Sequence, residues 1–138
     1  MSDDSNIRLV VADADQRVRS ALRILLREEP GLVVVGESAD LPSLVAQVRD
    51  LTPDMVLLDW ELPGRPAAAL LLAQTMIDRR PSVIVFSARP ESEDEVLTAG
   101  ADAFVSKGDP PEALLSAFRQ LKEKRGKEVD DREKESEN

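Results

Sequence analysis

The chain has 138 residues, carries 18 basic and 27 acidic side chains for a net charge of −9, and contains neither cysteine nor histidine. Those absences remove disulfides, thiolate nucleophiles, thiolate metal sites and the histidine-centred triads. The acidic balance, and a set of aromatics limited to Trp60, Phe86, Phe104 and Phe118, argue against a nucleic-acid surface, which needs a basic footprint or a stacking platform. Chemistry is left to carboxylates, hydroxyls, lysine, the backbone and a hard metal ion. No apolar stretch approaches the ~20 residues of a membrane span, and the polar start MSDDSN is unlike a signal peptide. The expectation is a single-domain, cytoplasmic protein with no membrane association.

The first apolar run, 7–12 (IRLVVA), predicts a buried strand. Val18, Ala21, Leu22, Leu25 and Leu26 recur at i, i+3, i+4, i+7 and i+8, which predicts an amphipathic helix, and Pro30-Gly31 punctuates its end. A second strand is expected over 32–36 (LVVVG). Asp40, an N-cap type, precedes a second helix with Leu41, Leu44, Val45 and Val48 on one face. Strand three is read over 54–59 (DMVLLD), followed by a Leu62-Pro63-Gly64 turn and an alanine- and leucine-rich helix over 66–80. Strand four follows over 82–87 (SVIVFS), then a short acidic helix over 90–98 closed by Gly100. Strand five is read over 101–106. Pro110-Pro111 open a last helix striped by Leu114, Ala117, Phe118 and Leu121.

Apolar strands separated by helical crossovers indicate a parallel sheet covered on both faces. Five right-handed units favour an α/β, doubly wound, flavodoxin-like (βα)5 sheet of order 2-1-3-4-5. The domain boundaries are read as a disordered N-terminus over 1–6, a folded domain over 7–121, and a charged tail or linker over 122–138. The rival is a fragment of a larger α/β protein, against which the polar ends weigh. The tail holds 6 basic and 7 acidic residues with Val129 its only aliphatic side chain, so it is expected to be a frayed helix extension or disordered.

Ligands of open α/β sheets bind beyond the carboxyl ends of the strands. Those ends deliver Asp13, Asp59, Ser87 and Lys107. A strand-end aspartate is commonly a helix cap and a strand-end serine commonly closes a turn; four such residues at one edge are harder to dismiss. Asp59 ends an apolar strand, where an unpaired carboxylate is costly, and Lys107 can compensate it. Asp13 beside Asp59 calls for a cation between them, and magnesium accepts carboxylates with water. A carboxylate beside such a cation and a lysine is a nucleophile suited to a phosphoryl group.

The motifs VVADAD, PDMVLLDWELPG, VIVFSA and GADAFVSKGDPPEAL, in this order and spacing, resemble the receiver domain of bacterial two-component response regulators over 7–121. The resemblance implies that Asp59 is the phosphoacceptor for a partner histidine kinase or phosphotransfer protein. Lys107 then pairs with the phosphoryl group, Ser87 is the switch hydroxyl, and Phe104 is the aromatic whose rotamer reports phosphorylation. It implies magnesium held by Asp13, Asp59 and Glu61 (the last through its backbone carbonyl), with Glu61 and Arg89 as rate-tuning positions. It also implies an output protein or domain, a packing change near the fourth helix and fifth strand, and a homodimer through the last helix, with the first. No basic recognition helix occurs in the chain, so no nucleic-acid binding by this chain is expected.

One departure stands out. Where the family carries two adjacent acids after the first strand, this chain reads Asp13-Ala14. Alanine offers no oxygen at the position of the direct magnesium ligand, Asp15 is expected to point away as the first helical residue, and Asp13 or the Glu61 side chain is left to take over. The competing reading is an atypical receiver that binds partners without efficient magnesium-dependent phosphorylation. A nucleotide or flavin binder on the same fold ranks last, since no glycine-rich loop follows the first strand.

Overall fold

The computed structural model describes residues 6–75 and 80–137. The elements run β1 (Ile7–Ala12), α1 (Gln16–Arg27), β2 (Leu32–Ser38), α2 (Leu41–Leu51), β3 (Met55–Asp59), α3 (Pro66–Thr75), β4 (Ser82–Ser87), a 3-10 turn (Pro90–Ser92), α4 (Glu93–Thr98), β5 (Ala103–Ser106) and α5 (Pro111–Glu137). All paired strands are parallel, in the order β2-β1-β3-β4-β5. This is the doubly wound sheet that the alternation of strand and helix patterns predicts.

The period-2 geometry of strands divides the core in two. Leu9 and Val11, Met55 and Leu57, Ile84 and Val105 face one way and pack with Leu22 and Leu26 of α1 and Leu114, Phe118 and Leu121 of α5. Val10 and Ala12, Val56 and Leu58, Val83 and Val85 face the other way, against Leu44 and Val48 of α2, Leu70 and Ala73 of α3 and Val96 of α4. β3 is buried at every position, so its apolar run needs no alternation. In α1, Ala21 lies exposed, outside the buried stripe.

Several boundaries differ from the sequence expectation, each for a polar reason. β2 runs on to Ser38 because Glu37 and Ser38 still pair with Val11 and Ala12, and Arg19 and Arg23 neutralise Glu37. β5 starts at Ala103; Asp102 meets β4 by two bonds to Val83, its N–H donating to the Val83 carbonyl at 2.9 Å and its carboxylate accepting the Val83 N–H at 2.8 Å. The short acidic segment divides into the 3-10 turn and α4. Asp15 is the N-cap of α1, its carboxylate accepting the Arg17 N–H at 2.8 Å, and not its first helical residue. Of the helix read over 66–80, residues 76–79 lie outside the described residues, as do 1–5 of the N-terminal segment.

α5 does not stop at Leu121: it continues through the charged segment to Glu137, 27 residues in all or ~40 Å of helix. Lysine, glutamate and arginine are good helix formers, and Glu123 and Lys127 pair one turn apart at 3.7 Å. Arg125 fastens this extension to the sheet's amino edge, donating to the Arg80 carbonyl at 3.1 Å and Ser82 Oγ at 3.2 Å and pairing with Asp54 at 3.6 Å.

Near its start, α5 is tied to the α1–β2 connection by a forked ion pair. Arg119 Nε and Nη2 donate to the two oxygens of Glu29 at 3.0 and 2.9 Å. The Arg119 hydrogen bonds hold the Glu29 carboxyl below its ordinary value. A depressed folded value means stability that is present above the unfolded value and lost as pH falls through the folded one. Arg119→Met should therefore lower the urea midpoint at about pH 7, and the difference from wild type should shrink as pH falls through the folded Glu29 value. A pH-independent difference would show that Arg119 acts by packing alone.

Candidate functional site

The parity of the strands assembles the site. Leu9, Val11 and Asp13 continue one face of β1; Met55, Leu57 and Asp59 continue the same face of β3; Val105 and Lys107 do so for β5. Because Ala12 is in register with Leu58, Asp13 and Asp59 emerge side by side at the carboxyl edge. Lys107 reaches between them, its Nζ 2.9 Å from Asp13 Oδ2 and 3.3 Å from Asp59 Oδ1. The two carboxylates are almost fully buried, at 3% and 5% side-chain exposure, with Lys107 at 24%. Two buried carboxylates with one ammonium leave the cluster net negative, with Lys107 its most exposed member.

Backbone contacts hold these groups in place. Asp59 Oδ1 accepts the Glu61 N–H at 2.9 Å, Asp13 Oδ1 accepts the Asp15 N–H at 2.9 Å, and the Lys107 N–H reaches the Ser87 carbonyl at 2.8 Å. Burial pushes the Asp59 carboxyl above its ordinary value; the Glu61 N–H opposes this, the Asp13 charge adds to it, and Lys107 opposes it. Burial works to lower the Lys107 ammonium, but the Asp13 hydrogen bond and the charges of Asp59 and Asp13 outweigh it and raise the value.

Ser87 and Phe104 belong to the opposite parity, facing α4. Ser87 is fully buried, and its Oγ donates to Glu61 Oε1 at 3.2 Å and accepts the Arg89 N–H at 3.0 Å. Phe104 is half-buried against the core that includes Val96 of α4. Arg89 is exposed and meets the site through its backbone. Glu61 does not join Asp13 and Asp59 by its side chain; Oε1 instead takes the Ser87 hydroxyl and the Ala88 N–H at 3.0 Å.

Three supporting residues escaped the sequence reading. The Phe86 ring lies 5.5 Å from Lys107 Nζ, within cation–π range. Its parity with Ile84, on the Asp59 face, was a usable signal. Arg19 Nη1 donates to the Asp13 carbonyl at 2.7 Å, steadying the turn that carries the acid. Ser92, buried in the 3-10 turn, donates to the Arg89 carbonyl at 2.6 Å and fixes the loop after β4. The last two depend on loop conformations that no periodicity encodes.

The family model described as the response regulator receiver domain matches residues 9–119. The chain belongs to that family. The receiver is 31% identical over 124 residues to the nitrate/nitrite response regulator protein NarL of Escherichia coli, covering 87% of this chain and 56% of that protein. It is 32% identical over 116 residues to the E. coli phosphate regulon transcriptional regulatory protein PhoB, covering 81% and 50%. The receiver thus spans about half the length of these curated relatives. Among solved structures, a LuxR-family response regulator from Aurantimonas superposes with a TM-score of 0.75 at 27% identity, covering 86% of each chain. A CheY-like receiver domain protein from Methanospirillum hungatei shares the fold, with a TM-score of 0.77 at 24% identity and coverages of 90% and 99%. Receiver domains interact with histidine kinases and output domains and generally bind magnesium at their acidic pocket. Among the described residues, no helix is long and apolar enough to cross a membrane.

Proposed function

We propose that this receiver accepts a phosphoryl group on Asp59 from a phosphohistidine of a partner histidine kinase or phosphotransfer protein. The supporting observation is the buried Asp59 carboxylate in reach of Lys107 at the open edge of the sheet. Both of its close contacts fall on Oδ1, which leaves Oδ2 as the attacking oxygen. A bond forms from Oδ2 to phosphorus, the phosphorus–nitrogen bond of the donor breaks, and its electron pair stays on the imidazole. Lys107 offsets the charge that accumulates on the acyl phosphate. Ser87 then binds a phosphoryl oxygen, drawing the loop after β4 inward, and Phe104 repacks beside α4, the surface a partner would read. Arg89 and Glu61 flank the group and set its rates. A homodimer would use the α1–α5 face, where Ile24 is 63% exposed. The output protein or domain and the cytoplasmic location belong to this same reading.

The side chains do not fit a resident magnesium ion as they stand. Among the described residues no three acidic side chains converge to hold a metal. Lys107 Nζ already bridges Asp13 and Asp59, the Glu61 carboxylate is turned onto Ser87 and Ala88, and Ala14 adds no oxygen. That observation favours a second reading, a protein-interaction module without efficient magnesium-dependent phosphorylation.

Incubation with acetyl phosphate and magnesium, followed by intact-mass measurement, separates the two. The first reading expects a gain of one phosphoryl group that is lost in Asp59→Asn. No adduct at any magnesium concentration, with a donor kinase equally inactive, would leave the interaction module.

A further inference from the structure

We propose that the Glu61 carboxylate is a built-in occupant of the seat that receives the phosphoryl oxygens, so that phosphorylation of Asp59 proceeds by displacing it. The inference rests on Asp59 being the phosphoacceptor. Two donors converge on the single atom Glu61 Oε1: the Ala88 N–H at 3.0 Å and the Ser87 hydroxyl at 3.2 Å. Ser87 has one proton to give, and its other acceptors, the Arg89 carbonyl and Ser92 Oγ, lie farther off at 3.5 Å. The Arg89 N–H donates into the Ser87 oxygen at 3.0 Å, and the Ser92 proton is spent on the Arg89 carbonyl at 2.6 Å. The hydroxyl is therefore aimed at Glu61.

The same residue also touches the acceptor, since its N–H donates to Asp59 Oδ1 at 2.9 Å. Glu61 thus holds the acceptor with its backbone and caps the opposite donors with its side chain. A hydroxyl and a backbone N–H pointed at one oxygen make a small oxyanion seat. A phosphoryl group of charge about −2 arriving on Asp59 needs those donors, and a carboxylate already on them competes and repels. Lys107 does not hold Glu61 in place, because its ammonium lies on Asp13 and Asp59. Glu61 is exposed, so it leaves the seat without disturbing the core. In the unmodified receiver the Ser87–Ala88 segment is consequently anchored to an internal anion, and a phosphoryl group exchanges one anion for another.

Removing the occupant should speed uptake. Glu61→Ala and Glu61→Gln are expected to accumulate the acetyl phosphate adduct about tenfold faster than wild type, the scale of one charged hydrogen bond. Independently of any donor, the Ala88 backbone amide should shift in the proton–nitrogen correlation spectrum of Glu61→Ala and exchange with solvent faster. Equal adduct rates in wild type and both variants overturn the proposal. An unmoved Ala88 amide with unchanged exchange overturns it as well. If no form takes up phosphate, from acetyl phosphate or a donor kinase, it is the Asp59 assignment that fails. The Ala88 amide then decides alone, movement supporting the internal occupant and constancy rejecting it.

Discussion

Replacing Lys107 with methionine should destabilise the fold by about 3 kcal/mol, the cost of stranding buried charge without its partner. The ammonium stands between Asp13 and Asp59, both almost wholly buried. Methionine keeps an apolar stem of similar length and removes the charge that compensates Asp13 and Asp59, together with its contact over the Phe86 ring. Two carboxylates then face each other in a poorly solvated pocket. Asp59→Asn should have the opposite character, since it removes one of two like charges whose burial is already unfavourable. In the double variant Lys107→Met/Asp59→Asn the loss should be much smaller than in Lys107→Met alone. Urea unfolding of the four proteins measures the coupling directly. A loss below about 1 kcal/mol for Lys107→Met, the range of exposed pairs, would mean that solvent already reaches the cluster.

Restoring a second acid after β1 should have the largest effect on metal affinity. Ala14 is exposed and directly follows Asp13, so Ala14→Asp adds a carboxylate beside the pocket without touching the core. A third carboxylate gives magnesium the charge that Asp13 and Asp59 share with Lys107. An outer-shell partner changes metal affinity by about 10–100-fold, and a direct ligand should act at the upper end of that range. Titration of Trp60 fluorescence with magnesium, in wild type and variant, reads the change. Unchanged affinity would place the second acid of the family elsewhere than Ala14.

Much of this architecture was written in local patterns. Apolar strands broken by helical periodicity determine a covered parallel sheet, and the carboxyl-edge rule selects Asp13, Asp59, Ser87 and Lys107 from the sequence alone. Boundaries were less legible where polar residues pair inside the sheet, as Glu37 and Ser38 do, because their composition reads as loop. The helical course of the charged segment was open for a related reason: composition reports little apolar area to bury, but not the anchoring of Arg125 on Asp54 and Ser82. The direction of the Glu61 carboxylate was not legible at all. It depends on the 59–64 turn, where Leu62 N–H closes on the Asp59 carbonyl at 3.1 Å, and on the loop after β4 that turns the Ala88 N–H outward.

The strand that ends in Asp59 is apolar on both faces, and this has a cost in alignment. A slip of β3 by one residue would exchange its two faces and still bury Met55, Val56, Leu57 and Leu58, so hydrophobic burial alone barely distinguishes the two alignments. What distinguishes them is charge at the strand's two extremities. Asp54 takes the Arg8 N–H at 2.9 Å and faces Arg125 at one end, and Asp59 faces Lys107 at the other. A slipped strand would turn Asp59 towards α3 and α4, away from its cation, and bury it there unpaired. The Asp59–Lys107 pair at one end and the Asp54 contacts at the other thus act together as the alignment key of the central strand, so the geometry of the pocket and correct folding are selected by the same charges.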